Sequence, residues 1–208
     1  LNERLQMGMV ETNHRVKNHL QKLISLMNFQ IRSKQGSLSE EDVRNIVSHI
    51  HGLAALHDVL AGEAKSEGAD GLSVDASGVL ERVVGALGRV LEERNVTTEL
   101  ENCRVTARQA ASLSVILNEL LSNALKHSVG EIRIALHCEG EEGVLVVENT
   151  GSKFPGQLDI ERNGRTGLKL VKMLAKSDFD SEPAYVNTPS GHARAEVRFS
   201  LPTAETTA

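Results

Sequence analysis

The spacing of apolar residues changes character once along this chain, and the change limits the folds open to it. Over residues 1–60 apolar positions recur every three or four residues: Val16, Leu20, Leu23, Met27 and Ile31, then Val43, Ile46, Ile50, Leu53 and Leu60. That is the period of helices with one buried face. Gly36 breaks the pattern, and Ser39 with Asp42 three residues on predicts the N-terminus of a second helix. Two helices joined by a short loop make an antiparallel hairpin. It has one apolar seam too many to stand alone, so it pairs into a four-helix bundle or packs on its neighbour.

Beyond the small, polar stretch "AGEAKSEGADG" the periods mix. "ASGVLERVVGALGRVLEERN" reads as a helix, "VTTELE" as a strand and residues 107–127 as a helix. "EIRIALHCE" and "GVLVVEN" form a hairpin about "GEEG". "TGLKLVKMLAKS" is a helix and "ARAEVRFSLP" a closing strand. The expected fold is α+β: a helical hairpin at 1–64, a linker at 65–72, a two-layer α/β sandwich at 73–202 and a disordered tail at 203–208. With no Trp, one Tyr and four Phe, the core is built from Leu, Val, Ile and Ala.

The bulk numbers exclude several partners. A net charge of −5 offers no basic surface for nucleic acid or anionic membrane. Apolar runs such as "VLVV" are too short to span a bilayer. Cys103 and Cys138 have no close-spaced partner, so reduced thiols in a cytoplasm are the expectation. The chain opens on Leu1, which reads as a fragment whose upstream sensor domain is absent.

Two polar constellations interrupt this plan. In "ETNHRVKNHLQ" (11–21), helical spacing lines up Glu11, His14, Asn18 and Gln21 beside the apolar stripe but off it. Alone, that is a solvated face. In "ASLSVILNELLSNALKHS", Glu119, Asn123 and Lys126 share a face, with His127 beside them. A carboxylate, a carboxamide and a cation at that spacing suit Mg²⁺ bridging to phosphates, since Mg²⁺ takes oxygen ligands partly from a nucleotide. The competing reading is again a wet helix face, with Ile116, Leu117, Leu120 and Leu121 on the buried side. Downstream, Gly151 follows a strand, and Gly164 and Gly167 precede a helix. Glycines there let a backbone approach a ligand, and a helix N-terminus accepts phosphate.

Together these segments resemble bacterial sensor histidine kinases. "ETNHRVKNHLQ" is similar to their H-R-x-K-N phosphoacceptor box, "LNELLSNALKHS" to the N-box of the GHKL-type ATP-binding domain, and "GRTGLKLVKMLA" to the second glycine box. The order matches, and the resemblance spans nearly the whole chain. The H-W-E subgroup shares the "NHRVKN" wording, but a chain without Trp fits its sister subfamily better.

The resemblance implies an ATP-dependent protein-histidine kinase. His14 accepts the γ-phosphoryl group and passes it to an aspartate on a response regulator receiver domain. Asn18 orients the ring, Arg15 steadies phosphate charge, and Glu11 acts as base or orienter. Asn123 holds Mg²⁺ with Glu119 in support; Lys126 and His127 touch phosphate; Asn149, Gly151, Gly164, Gly167 and Leu168 complete the nucleotide site. A homodimer through the hairpin is implied as well. The departures lie on the adenine side. Asn149 replaces the usual Asp of the first glycine box, Lys153 replaces its second Gly, and "SGHARAEV" offers no Thr near the last strand.

The alternative these departures favour is a histidine phosphotransferase that relays phosphoryl groups without ATP. A serine kinase on the same nucleotide-binding fold is opposed by the His14 hairpin. His49, His51 and His57 offer no metal-ligand pattern, and His19 and His192 read as surface residues.

Overall fold

The computed structural model describes residues 73–86, 94–154 and 166–202. The expected hairpin, linker and tail lie outside them. Strands β1 (Ser73–Asp75) and β3 (Arg104–Thr106) form a small antiparallel ribbon. The main sheet has five strands, β2 (Val96–Leu100), β4 (Ile132–Glu139), β5 (Glu142–Asn149), β6 (Ala184–Asn187) and β7 (Ala193–Ser200), in the order β2-β4-β5-β7-β6. β2 runs parallel to β4, and the other pairings are antiparallel.

Helices α1 (Ala76–Ala86), α2 (Ala107–His127) and α3 (Thr166–Phe179) complete the layer, with α2 between the other two and against β5. The strand alternation explains why one face is covered. Ile132, Ile134, Leu136, Leu145, Val147, Val197 and Phe199 point into one apolar core with Leu113, Ile116, Leu117 and Leu121 of α2. The opposite face carries charged rungs, among them Arg133–Glu99 at 2.5 Å and Arg194–Glu196 at 2.6 Å.

Local chemistry sets the ends of the elements. Asp75 accepts a bond from the Ser77 amide at 3.0 Å at the start of α1. Thr106 opens α2 as a capping box: its hydroxyl accepts from the Gln109 amide at 3.2 Å, while the Gln109 side chain accepts from the Thr106 amide at 2.9 Å. At the other end Arg94 donates to the carbonyls of Leu125, at 2.9 Å, and Ser128, covering two acceptors the helix leaves unsatisfied.

The expectation of reduced thiols is corrected. Cys103 and Cys138 are disulfide-bonded, with Cα atoms 6.0 Å apart across a sequence separation of 35. Spacing along the chain could not show this. Parallel pairing of Leu100 with Leu136 brings the end of β2 beside the end of β4.

Candidate nucleotide site

At Glu119 and Asn123 the polar side of α2 is not wet. Glu119 is only 7% exposed and Asn123 half-buried, each one turn apart on the face toward α3. What fills the space above them is Gly167, the second residue of α3. A Cβ there would overlap Glu119 Oε2 and lie 3.3 Å from Glu119 Cδ and 3.8 Å from Asn123 Nδ2. Three residues expected to share a site, from segments more than forty positions apart, therefore meet at one point. Asn123 Nδ2 is buried with no hydrogen-bond partner among the described residues. An unsatisfied buried amide costs about 1–3 kcal/mol, which a ligand group would recover.

Lys126 and His127 are exposed on the last turn of α2, where cations also complement the helix dipole. Ser128 ends the helix, its amide donating to the Ala124 carbonyl at 2.9 Å. The loop that follows locks onto the end of β5. Glu131 donates its amide to Thr150 Oγ1 at 2.8 Å, and the Thr150 amide donates back to the Glu131 carbonyl at 2.9 Å. Gly151 sits in that junction at φ +82°, where only a residue without Cβ is unstrained, and a Cβ would press on Val129 Cγ2 at 3.1 Å.

Asn149 closes β5, buried and paired in register with Ile132 on one side and Ala193 on the other. Its Nδ2 donates to Ser152 Oγ at 3.0 Å. The segment beyond is fastened to β6: the Phe154 amide donates to Asn187 Oδ1 at 2.9 Å, Asn187 Nδ2 donates to the Phe154 carbonyl at 3.1 Å, and the rings of Phe154 and Tyr185 meet edge to face at 5.6 Å. Burial pushes the Tyr185 phenol well above its ordinary pKa. The stem of Lys153 lies over Gly191 at the β6–β7 turn, its Cε 3.3 Å from where a Cβ would stand.

Glu119, Asn123 and Gly167 are thus brought together; Leu168 follows on α3, half-buried against the core, and Asn149 and Gly151 stand at the end of β5. Glu11, His14, Arg15, Asn18 and Gly164 lie outside the described residues. Sequence reasoning missed Arg94, Thr150, Ser152 and Asn187. All four act through contacts 3–34 residues away, which leave no local signal in the sequence.

As a ligand set, Glu119 and Asn123 offer hard oxygens that fit Mg²⁺. Among the described residues no three His, Cys, Asp or Glu side chains gather into a self-sufficient metal cage.

Comparison with known proteins decides the family. Residues 11–91 match the family model described as histidine kinase, and residues 108–205 match that of the histidine kinase-, DNA gyrase B- and HSP90-like ATPases. The chain belongs to the histidine kinases. Sensor histidine kinase PdtaS of Mycolicibacterium smegmatis is 26% identical over 194 residues, covering 87% of this chain and 37% of that protein. Blue-light-activated histidine kinase 2 of Erythrobacter litoralis is 26% identical over 184 residues, covering 83% of this chain and 51% of that protein. The histidine kinase chain therefore spans from about a third to half the length of these relatives.

Among solved structures, the histidine kinase domain of the Erythrobacter litoralis EL346 blue-light activated kinase superposes with a TM-score of 0.71 at 19% identity, covering 96% of this chain and 93% of that one. The ATP binding domain of PrrB from Mycobacterium tuberculosis gives 0.54 at 23% identity, covering 65% of this chain and all of that one. These structures share the fold of the described residues, a sheet with helices packed on one face.

Proposed function

We propose that this histidine kinase chain is the transmitter of a two-component system, in which His14 is phosphorylated from ATP and passes the phosphoryl group to an aspartate of a response regulator. The observation that carries the reading is the meeting of Glu119, Asn123 and Gly167 at one buried point. Asn123 would hold Mg²⁺ with Glu119 supporting its shell, and the ion would offset phosphate charge when bound. Lys126 and His127 contact phosphate, and Gly164, Gly167 and Leu168 bring the α3 backbone to it. Asn149 and Gly151 receive the base.

On the hairpin, an imidazole nitrogen of His14 bonds to the γ-phosphorus as its bond to the ADP oxygen breaks. Asn18 orients the ring, Arg15 steadies the transferring charge and Glu11 takes the displaced proton. Such transfer depends on positioning and charge stabilisation rather than elaborate covalent machinery. Residues 1–64 form the phosphoacceptor hairpin and pair two copies into a four-helix bundle; residues 73–202 bind ATP.

Asn149 and Lys153 favour a second reading, a phosphotransferase that relays phosphoryl groups without ATP. The names of the relatives weigh against it. Calorimetric titration with ATP and Mg²⁺, run beside an Asn123→Ala variant, separates the two. The kinase reading expects saturable binding that the variant loses, followed by acid-labile phosphate that a His14→Gln variant cannot form. A folded chain that binds no ATP would overturn it in favour of the relay.

A further inference from the structure

The base end of the site carries a neutral amide, and an amide selects differently from a carboxylate. We propose that this chain takes 6-oxopurine as well as 6-aminopurine nucleotides, GTP alongside ATP, because Asn149 can turn either its acceptor or its donor toward the purine edge. The inference rests on the reading above that Asn149 faces the base.

Adenine presents an amino donor at C6 and an acceptor at N1; guanine presents the reverse, a carbonyl at C6 and a donor at N1. At the C6 position an ionised carboxylate only accepts, so there it rewards the amino group and repels the carbonyl. A carboxamide carries one acceptor and two donors. The surroundings of Asn149 leave that choice open. Its backbone is fixed between Ile132 and Ala193, so reorientation falls on the side chain alone. Its Nδ2 donates to Ser152 Oγ, and its Oδ1 accepts no hydrogen bond from another described residue.

The Ser152 hydroxyl, which bonds to Asn149 alone among the described residues, donates as readily as it accepts. Turned end for end, the amide keeps that bond with the roles exchanged, and Nδ2 then meets a carbonyl.

The test is calorimetric titration of the whole chain with the Mg²⁺ complexes of ATP, GTP and CTP, and of an Asn149→Asp variant checked for folding by circular dichroism. The expected result is ATP and GTP dissociation constants within about tenfold of each other, CTP weaker than both, and a GTP-to-ATP ratio that widens by at least ~tenfold in the variant, the scale of one hydrogen bond. ATP binding with GTP more than about tenfold weaker in the wild-type chain would overturn the inference, on the same scale of about 1.4 kcal/mol. So would equal binding of CTP, which would mean that the base is not read, or an unchanged ratio in the variant. Failure of every nucleotide would instead sink the functional reading beneath it. The wild-type comparison decides the matter even if the variant does not fold.

Discussion

Gly167 has to be glycine for a reason that Glu119 and Asn123 supply. Its missing Cβ is the space the Glu119 carboxylate occupies. Gly167→Ala forces α3 away from α2, and overpacking of this kind costs about 1–3 kcal/mol; a lower denaturation midpoint and a loss of ATP affinity by calorimetry are the expected readings. Asn187 acts at one remove. Its two hydrogen bonds hold the Phe154 backbone, so Asn187→Ala should cost about 1 kcal/mol, equivalent to roughly fivefold in Kd where it falls on binding.

Glu101 gives a pH signature. The Cys138 amide, then the His137 ring, hold its carboxyl below the ordinary glutamate range. A depressed carboxylate stabilises the folded state above the unfolded pKa, and that contribution is lost as pH falls through the folded value. An NMR titration should place the Glu101 midpoint below that of glutamate in an unstructured peptide.

At the scale of elements, α3 is held at its far end by a carboxylate with no exposed side-chain surface. Asp178 accepts from Arg108 Nη2 at 2.6 Å and from the Ser112 hydroxyl, joining α3 to the first turns of α2. Removing one partner of a buried charge leaves the other uncompensated. Arg108 is more than half exposed, so Arg108→Met is expected to cost about 1–3 kcal/mol by chemical denaturation. Helix α3 ends on Asp180 at φ +48°, with the Ser181 amide donating back to the Ala175 carbonyl at 3.1 Å. Asp180→Gly relieves that conformation and should raise the melting midpoint, even as it breaks the ion pair to Lys176.

The same scale shows what could be read in advance. Helix α2 spans 107–127 as its periodicity predicts, and the β4–β5 hairpin lies where its alternation puts it. The short strands β1, β3 and β6, three or four residues long, carry too few positions for a period to register. The turn sits two residues long at Gly140–Glu141, because Glu139 pairs with Glu142, not across all of "GEEG". That Glu119 and Asn123 share a helix face and that Gly167 stands at the start of a helix was legible, because helical spacing and glycine placement are local signals. Ser152, Asn187 and Arg94 were not, because an isolated polar residue does not announce which distant backbone it will hold. Nor did spacing along the chain announce that Cys103 and Cys138 would meet.

For the whole molecule, the sheet divides two kinds of chemistry. One face builds the core; the other carries ion pairs such as Arg133–Glu99 and Arg194–Glu196 on partly exposed side chains. Pairs of this kind add little and are screened by salt. Raising ionic strength should therefore leave the melting midpoint nearly unchanged while weakening nucleotide binding, a contrast that differential scanning fluorimetry and calorimetry can read together.

The β4–β5 hairpin separates its two ends by its own length. Ile132 and Asn149 pair at the end proposed to receive the base, and the Gly140–Glu141 turn closes the other, seven steps away or roughly 24 Å at the rise of an antiparallel strand. Both turn residues are exposed. The turn is thus a natural handle: a dye, a surface tether or a short inserted tag placed there would report on the chain, or hold it, without reaching the far end of the hairpin.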